Sequence, residues 1–126
     1  MDLYSNKLTE LPEIHKDNLP LTKLNIRKNK LSTLPLTIGK LSQLTSFSIG
    51  THEIEQLPYS FKKLNKLQYL YLGTSKIQNV NFLLEVLDNL PSIKEAYFNV
   101  EYFSEHAKDT VKKWARSKGI YGYGIK

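Results

Sequence analysis

Three histidines, His15, His52 and His106, are the side chains best suited to acid–base or metal chemistry, and the chain has no cysteine. A catalytic or metal-binding histidine needs partners at defined spacing, such as H-E-x-x-H along one helix face. None of the three stands in such a pattern, and neither a G-x-S-x-G elbow nor a phosphate-cradling glycine loop occurs. Without cysteine, disulfides and cysteine-ligated zinc are excluded, which fits a reducing compartment. The residues therefore predict a non-enzymatic chain with no catalytic residue, no cofactor and no metal. Charge offers a second chemistry. Eighteen Lys and Arg against 12 Asp and Glu leave a net +6, which draws acidic partners weakly and serves solubility equally well. Lys108, Lys112, Lys113, Arg116 and Lys118 concentrate part of it near the C-terminus, interrupted by Glu105 and Asp109. No aromatic ladder or groove-reading motif accompanies them, so a solvated helix face outweighs nucleic-acid binding. Tyrosine offers the third, through Tyr69, Tyr71 and Tyr97.

The elements that must position these residues come from a repeat. Residues 21–44 read L-T-K-L-N-I-R-K-N-K-L-S-T-L-P-L-T-I-G-K-L-S-Q-L. Leu3, Ile26, Ile49 and Leu72 are spaced by 23; Leu11, Leu34, Leu57 and Val80 keep that step, as do Pro12, Pro35 and Pro58. This pattern resembles the leucine-rich repeat, L-x-x-L-x-L-x-x-N-x-L with a variable outer arc. The L-P-x-x-I-G at residues 34–39 is similar to the 23-residue subclass found in Ras-group and many bacterial leucine-rich-repeat proteins. The resemblance covers roughly residues 1–98. It implies an α/β solenoid, a right-handed β-α superhelix with a parallel sheet on its concave face, and it implies protein binding by that face. Some bacterial proteins with similar repeats carry a cysteine-dependent ubiquitin-ligase domain, for which this chain has neither the cysteine nor the length.

Taken in order, the first repeat is incomplete. Strand-like Asp2, Leu3 and Tyr4 lead into Asn6, Leu8, Leu11 and Pro12, after which residues 13–20 depart from the pattern and are expected as a loop or single turn. No polar cap precedes the repeat, so Met1, Leu3, Leu8 and Leu11 are expected to present an open apolar layer. That end predicts self-association or an upstream segment. In the second repeat Asn29 holds the position whose amide bonds neighbouring backbone; His52 and Ser75 replace it in the third and fourth. After Val80 the period breaks into a helix over 82–89, with Asn81 as its N-cap, Phe82, Leu83, Val86, Leu87 and Leu90 on one face and Pro91 as its stop. A longer unit carries the next strand to Ile93, Ala96 and Phe98. Ser104 caps a helix over 105–118 whose face of Ala107, Val111, Trp114 and Ala115 closes the core. The division is residues 1–103 for the repeats and 104–126 for a C-terminal capping helix and tail. Strands are expected near Leu3, Ile26, Ile49, Leu72 and Phe98.

Alternation along each strand sets the outward-facing columns. The first is Lys23, Ser46, Tyr69 and Glu95; the second Asp2, Asn25, Ser48, Tyr71 and Tyr97; the third Tyr4, Arg27, Gly50, Gly73 and Asn99. Tyrosine and arginine are enriched at binding hot spots, although tyrosine also simply suits a half-exposed strand. The candidate partner-binding residues are Tyr69, Tyr71, Tyr97, Asn25, Arg27, Lys28 and Ser48. A polypeptide on the concave face is the expected partner, with Arg27 and Lys28 set two repeats from the tyrosines. The alternatives are a structural segment of a longer repeat protein and, third, nucleic acid on the basic helix. No apolar run approaches a membrane span, and the opening M-D-L-Y-S-N-K carries no secretory pattern, so a cytoplasmic location without membrane partner is expected.

Overall fold

The computed structural model describes residues 1–50, 53–73, 77, 79–98, 100–101 and 103–120. His52, Ser75, Asn99 and the tail at 121–126 lie outside the described residues. Four short strands, β1 (Lys23–Asn25), β2 (Ser46–Ser48), β3 (Tyr69–Gly73) and β4 (Glu95–Phe98), form one parallel sheet in the order β1-β2-β3-β4. Lys23 pairs with Ser46, Ser46 with Tyr69 and Tyr69 with Glu95. The step is thus 23 residues twice and 26 once, as the apolar spacing predicts. Leu24, Phe47, Leu70 and Ala96 occupy the alternate position and are buried, because a one-residue slip would expose the whole set.

The return segments explain the period. Pro35 and Pro58 hold equivalent positions, and their carbonyls accept from the Ile38 and Phe61 N–H groups at 3.0 Å each. Proline fixes φ and starts a tight 3₁₀ turn in each arc, at Ile38–Lys40 and Tyr59–Lys63. Phe61 stacks on Phe47 with ring centres 5.8 Å apart, joining arc to sheet through the core. In the fourth repeat the helix α1 (Val80–Asp88) replaces the proline arc and uses the three extra residues. The helix α2 (Glu105–Lys118) packs on α1 and buries Val111 and Ala115. Ser104 accepts from the Ala107 N–H at 3.1 Å, as expected of its N-cap. Among the described residues no helix is long and apolar enough to cross a membrane.

Three expectations are corrected. The segment at Leu3 is not a fifth strand: Asp2 makes one parallel bridge to Asn25, supported by Leu3 N–H to the Asn25 carbonyl at 2.8 Å. Backbone bonds continue on either side, from the Asn25 N–H to the Met1 carbonyl at 3.0 Å and from the Ser5 N–H to the Arg27 carbonyl at 2.9 Å, but Ser5 adopts φ 58°, outside strand geometry. The N-cap of α1 is Asn79, not Asn81; its Oδ1 accepts from the Phe82 N–H at 3.1 Å. That earlier start rotates Leu84 into the core and leaves Phe82 half-buried, beside Tyr59 at 6.4 Å between ring centres. The strands also end sooner than expected, so Ile26 and Ile49 lie just beyond β1 and β2 while remaining buried.

Asn29 is the buried polar side chain of the core region. Its Oδ1 accepts from the N–H groups of Asn6 and Leu8, each at 2.9 Å. Its Nδ2 donates to the carbonyls of Leu3 at 2.8 Å and Ile26 at 2.9 Å, with a longer contact to Arg27. One amide thereby satisfies backbone groups of two repeats, which is what makes its burial tolerable.

Candidate interaction surface

The face of the sheet turned away from the core carries the first two columns as the alternation predicts. Asn25, Ser48, Tyr71 and Tyr97 are in register across all four strands, and Asp2 extends the row through its bridge. Lys23 and Tyr69 are exposed, whereas Ser46, Ser48, Asn25, Tyr71, Glu95 and Tyr97 are half-buried. The small side chains of Asn25, Ser46 and Ser48, with Asp2, Lys23 and Met1, line a shallow depression of about 310 Å³. Tyr69, Tyr71 and Tyr97 follow on β3 and β4, with Tyr69 the exposed one of the three.

The third column departs from the simple picture. Between Tyr71 and Gly73 the register slips, so that Gly73 faces Phe98. Gly50 and Gly73 both have positive φ, 41° and 44°, which L side chains rarely adopt. The space their missing side chains leave is filled by the Tyr71 ring. A Cβ built on Gly50 would stand 2.9 Å from Tyr71 Cε1 and 3.1 Å from Arg27 Cγ, and one on Gly73 would collide with the same ring. Tyr71 thus lies over two glycines and meets Arg27 above Gly50.

Arg27 is expected two repeats from the tyrosines; the structure brings it to one of them, Tyr71. The Arg27 guanidinium carbon is 4.3 Å from the Tyr71 ring centre and 5.8 Å from that of Tyr4. Lys28 Nζ is 5.3 Å from the Tyr4 ring centre. These distances fall within cation–π range. Tyr4, Gly50 and Gly73 are the determinants that the sequence-based site omitted. The available signal was the Gly-Gly step in the third column beside a tyrosine two residues away. Lys28 itself adopts φ 56°, which carries its side chain away from the strand direction.

Tyr97 is held differently. Its hydroxyl donates to Glu95 Oε2 at 3.3 Å. The negative Glu95 carboxylate beside it, with partial desolvation and that hydrogen bond, pushes the phenol above its ordinary value. Tyr97 is therefore a neutral donor at any physiological pH. The tyrosine row is divided, with Tyr71 joined to cations and Tyr97 to an anion.

On the basic helix three of the five cations are already paired. Lys108 contacts Glu105 at 3.3 Å, Lys113 contacts Asp109 at 3.0 Å and Lys118 contacts Asp88 at 2.8 Å. Lys112 and Arg116 are left exposed on α2. His15 and His106 are both exposed and lie in separate parts of the fold. On the outer side, Leu36, Tyr59 and Phe82 fall in one column, with Leu36 75% and Tyr59 60% exposed. The proline arcs thus carry exposed apolar side chains of their own.

No protein-family model matches the sequence, and no curated protein does either. Among solved structures, a leucine-rich-repeat protein of Leptospira interrogans is similar, with a TM-score of 0.68 and 21% identity over 94% of this chain. The chain spans 31% of that protein's length. At this identity the likeness is one of fold, and the architecture is that of a leucine-rich-repeat protein.

Proposed function

We propose that this leucine-rich-repeat chain is a non-enzymatic binding module that takes a polypeptide along the outward side of its sheet, the concave face of the solenoid. The observation that carries it is the strand register. Asn25, Ser48, Tyr71 and Tyr97 stand in one row, beside Lys23, Ser46 and Tyr69. Neighbouring strands are about 4.8 Å apart, so these side chains can follow an extended chain laid across them. A trough of small polar groups accommodates backbone, and the tyrosines supply contact area at low entropic cost. A leucine-rich-repeat neighbour is consistent with such a role. In the same proposal residues 1–103 form the repeats and 104–126 close the core through α2, in a cytoplasmic chain without cofactor.

Selection of peptides from a random displayed library tests this, followed by NMR mapping of the best binder on labelled protein. Shifts should concentrate in β1 to β4 at Asn25, Ser48, Tyr69, Tyr71 and Tyr97. Shifts confined to α2, or to the arcs at Leu36 and Tyr59, would overturn it.

A second reading rests on the layer at Met1, Leu3, Leu8 and Leu11. Met1 is 65% exposed and the three leucines are half-buried against the core. Self-association through that apolar layer, or its continuation in a longer array of repeats, would cover it. Sedimentation over a range of concentrations checks the first: a monomer throughout removes it. Nucleic-acid binding through α2 stands third, since three of its cations are engaged by carboxylates.

A further inference from the structure

Among the described residues Arg27 has no carboxylate partner. The ion pairs of the described residues involve Lys62, Lys108, Lys113 and Lys118, and neither Arg27, Lys23 nor Lys28 is among them. Yet the Arg27 guanidinium is not loose. Tyr71 lies 4.3 Å from it and Tyr4 5.8 Å. Tyr71 in turn is seated over Gly50 and Gly73, where any Cβ would displace it. A guanidinium stacked on its face keeps its N–H edge available, and that edge matches a planar carboxylate with two parallel hydrogen bonds. Immobilising it beforehand removes part of the entropy that a free arginine loses on binding.

The charges around it are asymmetric. Lys23, Arg27 and Lys28 stand at the β1 end, opposed there by Asp2, whose Oδ1 already accepts from the Tyr4 N–H at 3.0 Å. Glu95 stands at the β4 end, bonded to Tyr97. Resting on the polypeptide-binding role above, we infer that the sheet face selects an acidic peptide segment in one direction. Its carboxylates meet Arg27, with Lys28 near it across Tyr4 and Lys23 at the other end of β1, and neutral or aromatic residues follow over Tyr69 and Tyr97, where Glu95 repels acid. From β1 to β4 are three strand spacings, about 14 Å, or about four residues of extended chain. The ligand pattern is therefore an acidic cluster with a neutral, aromatic position about four residues away.

NMR titration of the labelled chain with capped octaglutamate, capped octaglutamine and an eight-nucleotide oligothymidylate decides it, at low and physiological salt. Octaglutamate should shift the Arg27 side-chain Nε–H and the amides of Asn25 and Ser48 saturably, and octaglutamine should not. R27M keeps an apolar side chain against Tyr71 and removes the fork; it should weaken octaglutamate binding at least about tenfold. If R27M does not fold, R27K serves, because it keeps the charge without the fork and should also weaken binding about tenfold. E95Q should strengthen octaglutamate binding a few-fold by removing the opposing charge. Undiminished binding in the arginine variants, no saturable shift, or oligothymidylate bound as tightly at Arg27, overturns the inference. A library-selected peptide that binds the sheet face yet is insensitive to R27M overturns the acidic preference while leaving the polypeptide role standing. No peptide on the sheet face at all removes both.

Discussion

Arg27 and Tyr71 touch across an intervening repeat. The guanidinium carbon lies 4.3 Å from the ring centre, although β2 runs between the segments that carry the two residues. The contact exists because the residue between them is Gly50, whose built Cβ would stand 2.9 Å from the ring and 3.1 Å from Arg27 Cγ. An alanine there would separate them. The electrostatic character of the sheet face therefore depends on a residue that has no side chain.

Gly73→Ala should be costly in two ways. The backbone has φ 44°, and the new methyl would meet the Tyr71 ring. Urea unfolding should show a loss of about 1–3 kcal/mol, and cross-peaks between the Tyr71 ring and Arg27 should vanish. A midpoint equal to that of the unaltered chain, with the cross-peaks intact, would contradict the seated ring.

Asn29→Ala removes an amide that bonds the backbone of Asn6, Leu8, Leu3 and Ile26. The orphaned groups should cost about 3 kcal/mol together. Hydrogen exchange at the Asn6 and Leu8 amides should accelerate well beyond that of β3. Equal acceleration everywhere would mean the side chain stabilises the whole fold without locally tying the first repeat.

The two sides of β3 should respond to very different extents. Leu70 is 1% exposed and Tyr69 43%. Leu70→Ala should destabilise by about 2–5 kcal/mol, and Tyr69→Ala by no more than about 1 kcal/mol. Denaturant titration of both variants checks the register directly.

Asp88 links the two helices, accepting from Lys118 at 2.8 Å and from Trp114 Nε1 at 3.4 Å. The hydrogen bond from Lys118 holds its carboxyl below the ordinary 3.8; desolvation opposes it, and the Lys118 charge and the Trp114 hydrogen bond add to the lowering. A depressed carboxylate adds stability that is present above its unfolded value and is lost as pH falls through its folded one. The α1–α2 contact should thus hold at neutral pH and loosen below about pH 4, modestly, because both partners are partly exposed. Trp114 is the chain's one tryptophan, so its fluorescence follows this contact, and Asp88→Asn should remove that acid transition.

For any peptide bound on the sheet face, Tyr71→Ala should weaken binding by about 2 kcal/mol or more. The loss combines missing ring contact with release of the Arg27 side chain. Calorimetry on Tyr71→Ala and Tyr69→Ala separates these effects, because Tyr69 offers ring area alone.

The periodic leucines determined by themselves which side of each strand faces inward, how far each repeat advances and that a helix replaces the proline arc after Val80. Those are consequences of local spacing: a 23-residue step admits one strand and one return, and alternation admits one buried side. The rows Lys23–Ser46–Tyr69–Glu95 and Asn25–Ser48–Tyr71–Tyr97 were legible for the same reason. Tertiary structure alone decided what those outward side chains do to one another. Tyr71 leans along the vacant positions of Gly50 and Gly73 to reach Arg27, and Tyr97 turns to Glu95. Spacing places a Cα on a column, but a long side chain samples a radius larger than the strand separation. Its final contact depends on which neighbouring positions are empty and which are charged, and that appears only once four strands lie side by side.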